Sequence, residues 1–175
     1  METTTTHTFK FFWAWEDEKE ERWLNEMALS GWKLDAITFP GIYTFRAAQP
    51  ANIVYRLDFN TDSKNYPAYL RLFEDAGWEH VTAYGSWHYF RIAAQPGEAP
   101  EIFSDNTSKI AKYQRVMLLL VALMPIWLVV GNGLHKESLP IYQAAAVIRF
   151  AFLLLYFYAI LMLNRRISQL KRVKE

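Results

Sequence analysis

Two kinds of hydrophobic pattern divide the chain. Up to about residue 93 apolar positions come in short periodic runs. Beyond residue 115 they merge into long stretches almost free of charge. In the first part, Val54, Arg56 and Asp58 alternate with Tyr55, Leu57 and Phe59, the period of a half-buried strand. Phe9 to Trp13 reads as another strand. Trp23, Leu24, Met27 and Ala28 recur at three- and four-residue spacing, which gives one apolar helix face. Gly31 follows the last turn, where a left-handed cap favours glycine. Tyr69, Leu70, Phe73 and Ala76, then Gly77, repeat that design. Pro40-Gly41 and Gly85-Ser86 mark turns.

The runs are spaced as an internal repeat. Trp23-Leu24-x-x-Met27-x-x-x-Gly31-Trp32 corresponds to Tyr69-Leu70-x-x-Phe73-x-x-x-Gly77-Trp78, 46 residues on. Hairpins follow each Gly-Trp and end in Tyr43-Thr44-Phe45-Arg46 and His88-Tyr89-Phe90-Arg91. Each unit is thus strand, helix, hairpin. The expected fold is α+β, a ferredoxin-like two-fold repeat with both helices on one face of an antiparallel sheet.

Val116 to Leu134 is 19 residues without a charge, and Ile141 to Leu163 is 23 residues interrupted only by Arg149. Each is long enough to cross a hydrocarbon core, with Pro125 expected to kink the first. The short link from Asn132 to Pro140 makes them an antiparallel transmembrane hairpin. The domain reading is a cytoplasmic α+β unit at 1–93, a linker and basic juxtamembrane segment at 94–115, the hairpin at 116–163 and a basic tail at 164–175. Residues 94–108 carry the linker composition.

Charge orients this arrangement. Residues 1–100 hold 9 basic and 14 acidic side chains, residues 101–175 hold 10 and 4. The acidic first part excludes a nucleic-acid partner, which needs a basic face. Lys109, Lys112 and Arg115 precede the first span and Arg165, Arg166, Lys171, Arg172 and Lys174 follow the second, while the link has only Lys136. The positive-inside rule then places both termini in the cytoplasm of a multi-pass membrane protein. The polar, Thr-rich start, Met1 to Lys10, lacks the pattern of a signal peptide. There is no cysteine, so thiolate chemistry and disulfides are excluded.

Several blocks resemble a known bacterial family, the domain of unknown function 2812. They are Phe9-Lys10-Phe11-Phe12, Glu20-Glu21-x-Trp23-Leu24-Asn25-Glu26-Met27-Ala28-x-x-Gly31-Trp32, Gly41-x-Tyr43-x-Phe45, Tyr55-Arg56-Leu57-Asp58-Phe59, Phe73-Glu74-Asp75-Ala76-Gly77-Trp78-Glu79 and Ile102-Phe103-Ser104-Asp105. The resemblance covers about residues 9–115. It implies a helical membrane tail, as members often carry one. Genes of the family often lie beside transcriptional regulators, which implies a part in signalling or envelope response. It implies no activity and no catalytic residues.

Candidate chemistry is sparse. Trp13, Trp15, Trp32, Trp78 and Trp87 can fill a core or line a pocket for a flat or apolar ligand, and core burial weighs more. Trp15 and Trp87, outside the helix-cap pattern, are the better pocket residues, with His88 and Asp58 as polar partners. His80 and His88 with Glu79 or Asp58 are too few for a convincing metal site. The acidic run Glu16 to Glu21 reads as a helix N-terminus that favours acids, or as a dock for a basic partner. Arg149 within a span is either a polar contact inside a bundle or oligomer, or a side chain snorkelling to the headgroups. No cofactor is expected, and the chain reads as non-enzymatic. Its expected role is a membrane-tethered regulatory or sensory module that meets membrane lipids, a protein or small ligand, or a second copy of itself. The alternative is a small-molecule or lipid-binding protein with an aromatic pocket at the membrane surface.

Overall fold

A computed structural model describes residues 4–62, 64–94, 100–103, 106–132 and 140–172, with side chains described except at 126–132 and 140–145. The chain forms two compact units, Met1–Ser108 and Lys109–Glu175. The first is a mixed α+β unit: β1 (Thr5–Phe9), α1 (Asp17–Leu29), β2 (Trp32–Thr38), β3 (Ile42–Ala47), β4 (Ile53–Phe59), α2 (Tyr66–Asp75), β5 (Glu79–Tyr84) and β6 (Trp87–Ala93). Strand, helix and hairpin thus follow one another twice, but the first strand lies at Thr5–Phe9 and not at the expected Phe9 to Trp13, because residues 10–14 leave the sheet and lead into α1.

One antiparallel sheet is expected; the strands bond as two sheets of three, in the orders β1-β3-β2 and β4-β6-β5. The edge strands β2 and β5 run beside each other, and each carries an irregularity, at Leu34/Ala36 and at His80/Thr82. A bulge unpairs backbone groups and twists a strand away from its neighbour. Side chains take up those groups on β2: Leu34 N donates to the Tyr55 hydroxyl at 3.2 Å, and Arg91 Nη1 donates to Leu34 O at 3.0 Å. The outer edge of β4 is closed by α1, where Glu21 Oε1 accepts from Leu57 N at 2.9 Å and Asn25 Nδ2 donates to Ile53 O at 2.7 Å. Edges closed in this way offer no ladder to a further strand.

Gly31 and Gly77 end the helices at φ +86° and +85°. Two cores result. The larger lies between α1 and both sheets and includes Leu24, Leu34, Phe45, Tyr55, Leu57 and Tyr89. The smaller lies under α2 and holds Val54, Phe73, Trp78 and Phe90. The sheet β4-β6-β5 is therefore covered on both faces, and β4 is buried almost throughout, not half-buried as its alternation suggests. Ile102 packs on the smaller core, and Glu101 Oε1 meets Arg56 Nη2 at 2.9 Å, so part of the expected linker belongs to this unit.

The second unit has two helices, α3 (Asn106–Asn132, beginning just before the division) and α4 (Pro140–Arg172). Pro125 lies inside α3, whose expected span, Val116 to Leu134, runs beyond the described side chains. The link at 133–139 lies outside the described residues. Arg166 Nε donates to the Tyr113 hydroxyl at 3.3 Å, which sets the end of α4 beside the start of α3. From Ala146 to Arg172, α4 is long and apolar enough to cross a membrane, with a mean hydropathy of 2.3 in its most apolar window.

Candidate functional site

Helix periodicity decides where the acids of α1 go. Positions 17, 20, 21, 24 and 28 recur at three- and four-residue spacing, and all five are buried. The face that carries Leu24 and Ala28 into the core therefore carries Asp17, Glu20 and Glu21 in with them. The acidic run is thus not a solvated first turn. Glu16, just before the helix, accepts from Trp13 N at 3.2 Å and from Lys19 Nζ at 2.6 Å. Glu21 serves β4, as described above. Asp17 and Glu20 face a cavity.

That cavity measures about 220 Å³ and lies among the segment Lys10–Ala14, the first turns of α1 and the central strands β3 and β6. Its wall is aromatic: Phe12, Trp13, Tyr43, Tyr84, Trp87 and Tyr89. Tyr43 and Tyr89 come from the middle strand of each sheet, and both hydroxyls donate to Glu20 Oε1, at 2.5 and 2.7 Å. Glu20 is only 6 % exposed. Burial pushes its carboxyl up, the two tyrosine hydroxyls oppose that, and the neighbouring Asp17 charge adds to it. Burial likewise pushes the Tyr43 and Tyr89 phenols up, and the Glu20 carboxylate reinforces the shift, so both remain donors. At the rim, Lys10 Nζ lies over the Trp23 ring at 4.3 Å and the Phe12 ring at 5.3 Å.

The predicted ligand residues do not come together. Trp87 lines the cavity, edge-on to Phe59 at 5.2 Å. Trp15 stacks flat on the lining ring of Trp13, with centroids 5.2 Å apart. His88 and Asp58 pair across β6 and β4 but face the other side of the sheet, under α2. There Asp58 Oδ2 accepts from the Tyr69 hydroxyl at 3.0 Å, and His88 Nδ1 lies 3.4 Å from His80 Nε2. The reason is the strand period: consecutive residues 87 and 88 point to opposite faces. Burial pushes both imidazoles down, and for His88 the His80 charge adds to it. Among the described residues no group of three or more histidines and carboxylates is placed to hold a metal ion. Arg149 lies on α4 between the exposed Ile148 and Phe150.

Asp17, Glu20, Tyr43 and Tyr89 are the candidate-site residues that the sequence reading did not bring together; it treated the two acids only as part of the run Glu16 to Glu21. Their signal was present: acids at the helix spacing of Leu24 and Ala28 cannot all face solvent. Neither a curated protein nor a solved structure matches the chain. A family model matches residues 16–124, which span every element from α1 to α2, β5 and β6 and the first part of α3. The chain therefore belongs to the family described as "Protein of unknown function (DUF2812)".

Proposed function

We propose that this chain is a membrane-tethered, non-enzymatic small-ligand module of a regulatory or sensory kind. In this reading its two strand–helix–hairpin runs are the halves of one ferredoxin-like repeat in the broad sense. Its helices α3 and α4 form a transmembrane hairpin, and both termini are cytoplasmic. The observation that carries the proposal is the 220 Å³ aromatic cavity with the buried Glu20 in its wall. An apolar cavity of about 150 Å³ holds a benzene, so this one has room for a single ring with a small substituent. Ligand sites combine apolar walls with a few fixed polar groups, and the Tyr43–Glu20–Tyr89 cluster supplies them. The hydroxyls and carboxylate hold one another in place, which suits recognition better than turnover.

The test uses the full chain in lipid nanodiscs. A panel of one-ring compounds should quench tryptophan fluorescence saturably and raise the unfolding temperature. Trp87→Ala should weaken binding about tenfold or more, as loss of a stacked aromatic partner does. No saturable ligand across neutral, cationic and anionic members would sink the proposal. Phe11, exposed in the cavity lining, and the exposed Phe9 and Phe39, the last at 84 %, favour a second reading, a protein partner docking on this unit. Competition between ligand and partner would then be expected.

A further inference from the structure

We infer that the cavity selects an organic monocation, an aromatic or alkyl ammonium compound, with its charge against Glu20 and its apolar body among Trp13, Tyr84 and Trp87. This rests on the small-ligand reading above and names the ligand class.

Glu20 faces the cavity, and among the described residues that line it the one ammonium is that of Lys10. That ammonium already lies on the faces of Trp23 and Phe12. Both hydroxyls that bond Glu20 converge on Oε1, so among the described residues Oε2 has no hydrogen bond and remains for an occupant. An anion finds no such welcome, because the Tyr43 and Tyr89 donors are engaged by Glu20 and the carboxylates would repel it. A neutral ring fills the space but offers no partner to Glu20 Oε2. An ammonium compound satisfies both features, since ring faces attract cations and a carboxylate pairs with them.

Binding is coupled to a proton. Among the described residues, the titratable groups that line the cavity with Glu20 are Asp17 on α1, Tyr43 on β3, Tyr84 on β5, Tyr89 on β6 and Lys10 ahead of α1. Burial and Asp17 favour the protonated carboxyl in the empty cavity. A bound cation favours the carboxylate. The Glu20 proton therefore leaves to solvent as the cation enters, and affinity rises with pH until Glu20 is fully ionised.

Phenyltrimethylammonium and its neutral isostere tert-butylbenzene test this on the full chain, because neither titrates. The cation should bind about tenfold or more tighter than the isostere. Calorimetry in buffers of different ionisation enthalpy should show proton release. Glu20→Gln, whose amide oxygen can still accept from both tyrosines, should erase the preference and the pH dependence. Equal binding of both probes by the unmodified chain, each weakened by Trp87→Ala, overturns the charge inference and leaves the small-ligand reading standing. Binding of neither probe overturns the charge inference, and the small-ligand reading falls with it only when the wider panel of one-ring compounds fails as well.

Discussion

Gly31 and Gly77 share a conformation but not their surroundings, and that difference has a measurable consequence. A Cβ built at Gly77 meets only Ile92 Cδ1, at 3.6 Å, whereas one at Gly31 meets Ala48 O at 3.0 Å. Gly77→Ala should cost about 1–2 kcal/mol from the left-handed backbone alone. Gly31→Ala should cost more, because a backbone oxygen must also move. The tryptophans that follow differ as well. Trp78 is buried in the core under α2, while Trp32 is half-buried against the larger core. Trp78→Ala should destabilise by about 3–5 kcal/mol and Trp32→Ala by less. Urea unfolding of the four variants gives the order directly, and a larger loss at Trp32 would contradict the packing. The Gly-Trp positions were legible because a helix end needs a special backbone, and that need shows as residue type. Glu20 was not, because a buried acid looks the same in sequence as a solvated one until the helix face is projected.

At the scale of elements, the sheet β4-β6-β5 shows why alternation misleads. Asp58, His80 and His88 are polar, so their face reads as solvent-facing, yet α2 covers it and Tyr69 and Tyr66 pack on the imidazole of His88. A polar face with internal partners is invisible to hydropathy. The element order was legible from periodicity; the division into two sheets was not, since it depends on side chains such as Arg91 and Tyr55 reaching across to the β2 bulge. The buried pair has a pH signature. Both histidines titrate below their ordinary 6.5 when folded. Between the folded value and 6.5 the unfolded chain binds more protons, so the contribution is present above 6.5 and lost as pH falls. Glu20 acts oppositely: raised above its ordinary 4.5, its contribution is present below that value and lost as pH rises through the folded one. Urea midpoints should therefore fall with acidification below about pH 6.5. The double variant His80→Gln, His88→Gln should flatten that limb, while Glu20→Gln should raise stability at neutral pH. An unchanged acid limb in the double variant would place the titration elsewhere.

For the whole molecule, the deciding quantity is where basic side chains lie relative to the apolar helices. Three basic residues stand at 109–115 and five at 164–175, against Lys136 alone in the intervening link. The contact of Arg166 with Tyr113 brings the first two groups to the same end of the helical unit. If α3 and α4 cross a bilayer, their basic ends lie on one side of it. Near an anionic inner leaflet each such residue contributes roughly 1 kcal/mol of attraction, and each resists translocation. In the proposed topology both basic groups are then inside and the link outside. The first unit precedes α3 in the chain, so the same topology would hold it on the cytoplasmic side. The absence of cysteine makes the arrangement directly testable. Ser138→Cys, in the link, should react with a membrane-impermeant maleimide in intact cells. Ser168→Cys, on the exposed surface near the end of α4, should react only after lysis. Labelling of both positions in intact cells would contradict the inside placement of the basic end. Labelling of position 168 alone would invert the topology and carry the aromatic cavity to the outer face. Protection of both until lysis would leave the link inside and rule out a hairpin that crosses the bilayer.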